Sequence, residues 1–225
     1  MLADLDGDPV DQIVCLGDVV QGGSQPAQVV ALMQSLRCAT VLGNADAFVL
    51  DADAGAETLT ERQLDVREWT RAQLGVEGLS FLETFQPTFT VPLGEEHELL
   101  AFHGSPTSYD DVILPHLDED EFRRLLGPPR TAFMAGGHVH LQWLRRYGAT
   151  TFVNPGSVGL SYDHAQPEDD LRLDGFAACA RIGIDDGRIE IAFRRVPFDG
   201  DAVLSAIAAS GIPHADSLAA QWRAN

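Results

Sequence analysis

The stretch FMAGGHVH, residues 133–140, places an apolar run directly before two glycines and a pair of histidines. The apolar residues of 131–135 predict a short buried strand. In a regular strand, His138 and His140 would point to the same face, because residues two apart do so. In a loop after the glycines, both rings could also reach one point. Either conformation predicts a shared site for the two imidazoles.

Polar residues of similar kind follow other predicted strands along the chain. The strands are expected at 12–16, 39–42, 98–102 and 150–153. In α/β proteins, ligands bind beyond the carboxyl ends of the strands. We therefore expect these strand ends to contribute to one site. The segments that follow them are Gly17-Asp18, Gly43-Asn44, His103-Gly104 and Asn154-Pro155-Gly156-Ser157.

The side chains at these positions form a metal-ligand set of one carboxylate, one amide and three imidazoles. Such a mixture of oxygen and nitrogen donors suits Mn, Fe, Zn, Co or Ni rather than Ca or Mg. A bridging carboxylate can hold two ions roughly 3.5–4 Å apart, which activate a water and clamp phosphoryl oxygens. The predicted ligands are Asp18, Asn44, His103, His138 and His140.

The order of these motifs resembles that of the calcineurin-like metallophosphoesterases, particularly their small single-domain bacterial and archaeal members. The family pattern is Asp-x-His, Gly-Asp, Gly-Asn-His-Asp or Glu, His, and Gly-His-x-His, and the resemblance covers nearly the whole chain. Residues 103–106, 154–159 and 195–199 also resemble the small-domain branch. The matching segments are Gly17-Asp18, Gly43-Asn44-Ala45-Asp46, His103 and Gly137-His138-Val139-His140.

The resemblance implies one α/β domain over residues 1–225, a four-layer α-β-β-α sandwich of two mixed sheets flanked by helices. It implies two divalent transition metals with Asp18 between them. One metal would be held by Asp18, Asn44, His103 and His138. The other would be held by Asp18 and His140 together with the Asp and His of the first motif.

Two departures from the family pattern affect the expected chemistry. The Asp-x-His motif has no counterpart, so we expect the natural protein to have an upstream strand ending in that motif. Ala45 stands where many relatives have a histidine thought to protonate the leaving group. Because alanine cannot transfer a proton, the resemblance predicts weaker action on poor leaving groups. Asp46 is expected to order its loop rather than to replace that acid.

The leading functional hypothesis is a phosphodiesterase or phosphatase in which a metal-activated water attacks a small phosphate ester. Asn44 and Arg145 are the candidate contacts to the substrate. The alternative is a catalytically inactive, metal-stabilised binding or regulatory module of the same fold. A third hypothesis, an acidic α/β interaction domain without metal, treats the ordered Asp, Asn and His residues as accidental.

The composition limits the kinds of molecule that the chain is expected to bind. The formal net charge of −19 disfavours general nucleic-acid binding, because a polyanion would be repelled. No signal peptide and no apolar run of about 18 residues is present, so we expect a cytoplasmic protein that does not bind membranes. The oligomeric state stays open. The other histidines, expected to lie outside the site, are His97, His116, His164 and His214.

Overall fold

The computed structural model describes residues 1–20, 22–53, 59–163, 165–167 and 171–222, so His164 lies outside the described part. The helices are α1 (Leu2–Asp6), α2 (Pro26–Leu36), α3 (Asn44–Leu50), α4 (Glu61–Leu82), α5 (Glu119–Leu126), α6 (Gly200–Ser210) and α7 (Ala215–Trp222). The strands are β1 (Val14–Cys15), β2 (Ala39–Thr40), β3 (Thr88–Leu93), β4 (His97–Phe102), β5 (Phe133–Ala135), β6 (Gln142–Tyr147), β7 (Thr150–Pro155), β8 (Phe176–Asp185) and β9 (Arg188–Pro197).

A five-stranded mixed sheet forms the centre of the molecule, in the order β3-β4-β5-β7-β6. The strands β4, β5 and β7 run parallel, and β3 and β6 pair antiparallel at the two edges. The strands β6 and β7 form a hairpin across Gly148. Because the three central strands run parallel, their carboxyl ends lie at the same edge of the sheet.

Each face of this sheet buries its own apolar cluster, because alternate strand residues point to opposite faces. On one face, Phe122 of α5 packs with Phe102 and Phe152. On the other face, Leu99 and Phe133 pack with residues of β1, β8 and β9. The central sheet therefore lies between α5 and the remaining strands.

Two ribbons cover the second face where the sequence predicts a second mixed sheet. The strands β1 and β2 form a parallel pair of two residues each, and β8 and β9 form an antiparallel hairpin of ten residues each. Within the described ranges, no further strand pairs with β1 or with the hairpin, so the two ribbons are separate. The predicted fold class, a mixed α/β fold with a central sheet flanked by helices, is confirmed.

The helices follow the sequence patterns, and α3 and α7 are additional to those patterns. The spacing of Thr60 and Gln63 predicts a capping box at the start of a helix over 60–74, and this box is present. Gly75, at φ 59° and ψ −168°, is not helical, so the helical geometry breaks after Leu74 as predicted, and a second segment of α4 continues beyond the kink to Leu82. Throughout the described part of the chain, every helix is too short or too polar to span a bilayer.

The first prediction concerns the core under α5. Phe122 is fully buried, and its ring centroid lies 5.6 Å from that of Tyr147 and 5.7 Å from that of Phe152. We expect Phe122→Ala to lower the free energy of unfolding by about 3–5 kcal/mol, because it leaves a cavity. Val76→Ala, at a position 81% exposed, should change it by less than about 0.5 kcal/mol. Urea unfolding followed by circular dichroism measures both, and a similar loss for the two variants would contradict this packing.

Candidate metal centre

Two loops, one after β1 and one after β2, meet closely at the carboxyl ends of these strands. A Cβ atom at Gly17 would lie 2.6 Å from the backbone nitrogen of Gly43, and one at Gly43 would overlap the carboxylate of Asp18. Gly17 also has a positive φ of 90°. Only glycine allows both the turn and this approach, so the two Gly residues permit Asp18 and Asn44 to lie side by side.

Asp46 joins these loops through its carboxylate. The side chain is fully buried and accepts hydrogen bonds from the backbone N–H groups of Asp18 and Val19 at 2.8 Å each. It also accepts from Gly43 at 3.1 Å and from Val20 at 3.3 Å. Burial raises the pKa of Asp46 to about 6, and the charge of Asp18 adds to this, while the N–H donors favour the ionised form. Asp46 therefore orders its loop, as the sequence predicts.

Four donor side chains converge at this meeting point. His103 Nε2 lies 3.3 Å from Asp18 Oδ2 and 3.0 Å from Asn44 Oδ1, and His138 Nδ1 lies 3.0 Å from the same Asn44 oxygen. The donor atoms of Asp18, His103 and His138 all lie within 4.8 Å of one another. The loops after β1, β2, β4 and β5 thus contribute one donor each.

His103 is oriented by a backbone contact on its far side. Its Nδ1 lies 2.5 Å from the carbonyl oxygen of Leu16 and donates to it, which directs Nε2 towards Asp18 and Asn44. Burial opposes a charge on His103, but the hydrogen bond and charge of Asp18 raise its pKa overall. Conversely, burial would raise the pKa of Asp18, but His103 and the N–H of Ala45 lower it. The centre is rich in hydrogen-bond acceptors, and it therefore favours a positive charge placed among them.

The two residues of the His138-x-His140 pair lie in a loop, the second of the two predicted conformations. Both have left-handed backbones, with φ of 63° and 57°. Such strain is typical of functional sites and needs support from neighbouring contacts. Here the N–H of Gly137 donates to the His103 carbonyl at 2.7 Å, and buried Asn154 donates to the Gly137 carbonyl at 2.6 Å. Asn154 therefore shapes this loop through its side chain.

His140 lies beside the four donors without joining their closest group. Its Nδ1 donates to the Leu160 carbonyl at 2.8 Å, and its ring packs edge-on against Tyr162. Burial lowers the pKa of both His138 and His140, which favours the neutral imidazole that binds metals. The charge of Asp18 opposes this lowering at His140, so the two side chains are close enough to interact.

The donor chemistry fits a divalent transition cation at the first position. One carboxylate, one amide oxygen and two imidazoles are the mixed ligands that Mn, Fe, Zn, Co and Ni accept. Two of these side chains are held by backbone contacts, Asp18 by the N–H of Ala45 and His103 by the carbonyl of Leu16, as outer contacts orient metal ligands. The group formed by Asp18, Asn44, His103 and His138 is called the four-donor group below.

Comparison with known proteins identifies the family. The sequence model of the calcineurin-like phosphoesterase superfamily domain matches residues 1–171. The chain belongs to this superfamily. It is 24% identical over 214 residues to the protein MJ0912 of Methanocaldococcus jannaschii, covering 88% of this chain and 81% of that protein.

Two solved structures share the fold of this calcineurin-like phosphoesterase. The crystal structure of the Pyrococcus horikoshii protein PH1004 has a TM-score of 0.78 at 17% identity, covering 97% of this chain and 88% of that one. The crystal structure of a metallophosphoesterase from Sphaerobacter thermophilus has a TM-score of 0.71 at 22% identity, covering 98% and 92%. At these identities the likeness concerns the fold alone.

Arg145, which the sequence predicts as a substrate contact, lies away from the candidate metal centre. Its guanidinium pairs with Glu119 at 2.7 Å, donates to the Leu117 carbonyl and lies 4.4 Å over the ring of Phe122. It is not among the residues that line the cleft beside the four-donor group. The geometry therefore assigns Arg145 to the packing of α5 on β6, and offers no support for a phosphate contact.

A cleft of 520 Å³ opens beside the four-donor group. Asp18, Asn44, His138 and His140 form its metal-facing end, while His103 lies behind them. Residues beyond this end had no role in the sequence predictions, because they come from loops and from α7. The remaining lining residues, called the wall below, are Leu160, Tyr162, Gln166, Leu171, Leu173 and Gln221.

The sequence offered a signal for the role of Asp46. It is the third residue of α3, after the N-cap Gly43, where an acidic side chain can accept the N-cap N–H. The extra bonds to Asp18, Val19 and Val20 depend on a neighbouring loop. They could not be predicted before the helix α3 and its position were known.

The second prediction tests this anchor. In Asp46→Asn, the new amide NH₂ faces backbone N–H donors in place of a carboxylate oxygen. We expect the free energy of unfolding to fall by about 3 kcal/mol, because at least one buried donor loses its acceptor. The affinity for Mn²⁺ should fall by about tenfold, because Asp18 and Asn44 lose their alignment.

Asp11→Asn, at an exposed aspartate, is the matched control and should leave both quantities unchanged. Urea unfolding and isothermal titration with Mn²⁺ measure the two effects. A variant at Asp46 that binds Mn²⁺ as tightly as the parent protein would show that the anchor does not position the donors.

Proposed function

We propose that this chain is a metal-dependent phosphoesterase that hydrolyses a small phosphate ester at the four-donor group. The convergence of Asp18, Asn44, His103 and His138 at one end of an open cleft is the observation that carries the proposal. Family membership supports the same reaction class. We propose that residues 1–225 form the single domain that carries out this reaction.

The residues of the chain have distinct parts in this reaction. A divalent cation bound by the four donors supplies Lewis-acid chemistry, which polarises phosphoryl oxygens and lowers the pKa of water. His138 and Asn44 line the cleft and orient a phosphate there. Water adds to phosphorus, the ester P–O bond breaks, and the leaving oxygen takes its proton from solvent. Ala45 offers no proton, so esters with good leaving groups should react faster.

The number and identity of the cations belong to the proposal. Mn, Fe, Zn, Co and Ni all suit the four-donor group. A second cation beside it would share Asp18 and would also use His140. With a net charge of −19, the protein should act on small esters rather than on nucleic-acid polymers. A cytoplasmic location stays a prediction.

A second candidate function rests on two particular residues. Among the described residues, the position beside His140 offers few ligands for a second cation, and Ala45 removes the usual proton donor. These features favour a metal-stabilised binding or regulatory module without turnover. The two candidates share the four-donor group and differ only in catalysis, so one assay of binding and one of turnover separate them.

The third prediction concerns metal binding. Mn²⁺ at about 100 times its Kd should raise the melting temperature by roughly 5–10 °C, because binding stabilises only the folded state. EDTA should reverse the rise, and His138→Ala should abolish it. His116→Ala, at an exposed histidine away from the cleft lining, should keep it. Differential scanning calorimetry measures the shift, and an equal shift in all three proteins would place the cation elsewhere.

The fourth prediction concerns turnover. The Mn²⁺-loaded protein should hydrolyse bis(p-nitrophenyl) phosphate, with kcat/KM at least about 100-fold lower in His138→Ala and unchanged in His116→Ala. Release of p-nitrophenolate measures the reaction. Stabilisation by Mn²⁺ without turnover above the His138→Ala background would reject the esterase proposal and favour the binding module.

A further inference from the structure

Beyond the four-donor group, the cleft is lined by the wall, whose residues are apolar or neutral rather than metal-binding. Leu160, Tyr162 and Leu171, each half-buried, supply apolar surface there, and the buried Leu173 packs behind it. The volume of 520 Å³ lies within the range of about 300–1,000 Å³ that is typical of small-molecule sites. A phosphate held at the metal end would therefore place one of its substituents against this wall.

The wall is held in place by hydrogen bonds across its loop. Gln166 donates from Nε2 to the Arg172 carbonyl at 3.1 Å and accepts the Arg172 N–H at 2.8 Å. The N–H of Leu173 donates to the Gln221 carbonyl at 2.9 Å, which ties the loop to α7. These bonds join positions 166, 172 and 221 across the wall.

Tyr162 lies where the metal end meets the wall. Its ring centroid is 5.9 Å from that of His140, at an interplanar angle of 78°. The side chain is half-buried, so part of the ring contributes to the cleft surface. An aromatic ring contributes both apolar area and stacking to a flat ligand group that lies on it. This placement favours a ring on the substituent that is attached to the bound phosphate.

The charges of the lining argue for an uncharged substituent. The described residues of the cleft include no arginine, and the sequence contains no lysine. The polar side chains of the wall, Gln166 and Gln221, are neutral amides. Among the described lining residues, a second phosphate or a carboxylate placed there would find no cation to pair with, and its desolvation would cost affinity.

We propose that the preferred ligand is a phosphodiester monoanion with one neutral, ring-containing arm bound against Tyr162 and the leucines of the wall. This inference rests on the proposed function for the position of the phosphate. A diester carries one negative charge where a monoester carries up to two. The single negative charge would lie at the four-donor group with its cation, and the neutral arm would lie against the wall.

Binding of inert analogues tests the arm separately from turnover. Benzyl(methyl)phosphinate and ethyl(methyl)phosphinate are monoanions with two P–C bonds each, so neither can be hydrolysed. Isothermal titration of the Mn²⁺-loaded protein should show about tenfold tighter binding of the benzyl compound. The dianion (2-carboxyethyl)(methyl)phosphinate should bind more weakly than the ethyl compound, because its carboxylate would face neutral residues.

Substitutions then locate the preference. Tyr162→Ala should reduce the benzyl-to-ethyl ratio to about one, because the benzyl compound loses more affinity than the ethyl compound. Tyr162→Phe should keep the ratio, because the ring rather than the hydroxyl is involved. Phe193→Ala, at an exposed aromatic residue of β9 outside the lining, is the matched control and should also keep it.

The outcomes separate this inference from the proposed function. Equal affinities for the benzyl and ethyl compounds, a ratio that survives Tyr162→Ala, or no phosphinate binding to the Mn²⁺-loaded protein would each overturn the inference. In all three cases, Mn²⁺-dependent turnover of bis(p-nitrophenyl) phosphate would leave the proposed function standing. Loss of Mn²⁺ binding itself would overturn both.

Discussion

The hydrogen bonds to the buried carboxylate of Asp46 are the constraint on which the candidate centre depends. They join the loop after β1 to the loop after β2, and Gly17 and Gly43 permit the close approach. Asp18 and Asn44 then meet His103, which is oriented by the Leu16 carbonyl. A few backbone contacts thus bring the donor side chains from four separate strand ends into one group.

Much of this arrangement could be predicted from local rules. Short apolar runs followed by Gly and a polar residue predicted where the strands end, and parallel strands deliver such ends to one edge. The loop conformation of His138 and His140 could not be chosen from spacing, because their positive φ angles are stabilised by distant contacts. Those contacts involve the His103 carbonyl and the side chain of Asn154.

Other features depend on tertiary structure and were missed. The sequence predicts Arg145 as a candidate substrate contact, but in the structure it pairs with Glu119 of α5, which lies 26 residues upstream. The wall of the cleft combines Tyr162 and Leu173 with Gln221 of α7, a helix without a prediction. Where the sequence predicts a second mixed sheet, the described residues form two separate ribbons, β1–β2 and β8–β9.

The central claim is that Asp18, Asn44, His103 and His138 bind one cation together. The most direct measurement is anomalous diffraction at the manganese edge from crystals of the Mn²⁺-soaked protein. We expect an anomalous peak within about 2.0–2.3 Å of one donor atom from each of the four side chains. A peak bound by other residues, or none at this position in crystals that diffract well enough to show the side chains, would contradict the account.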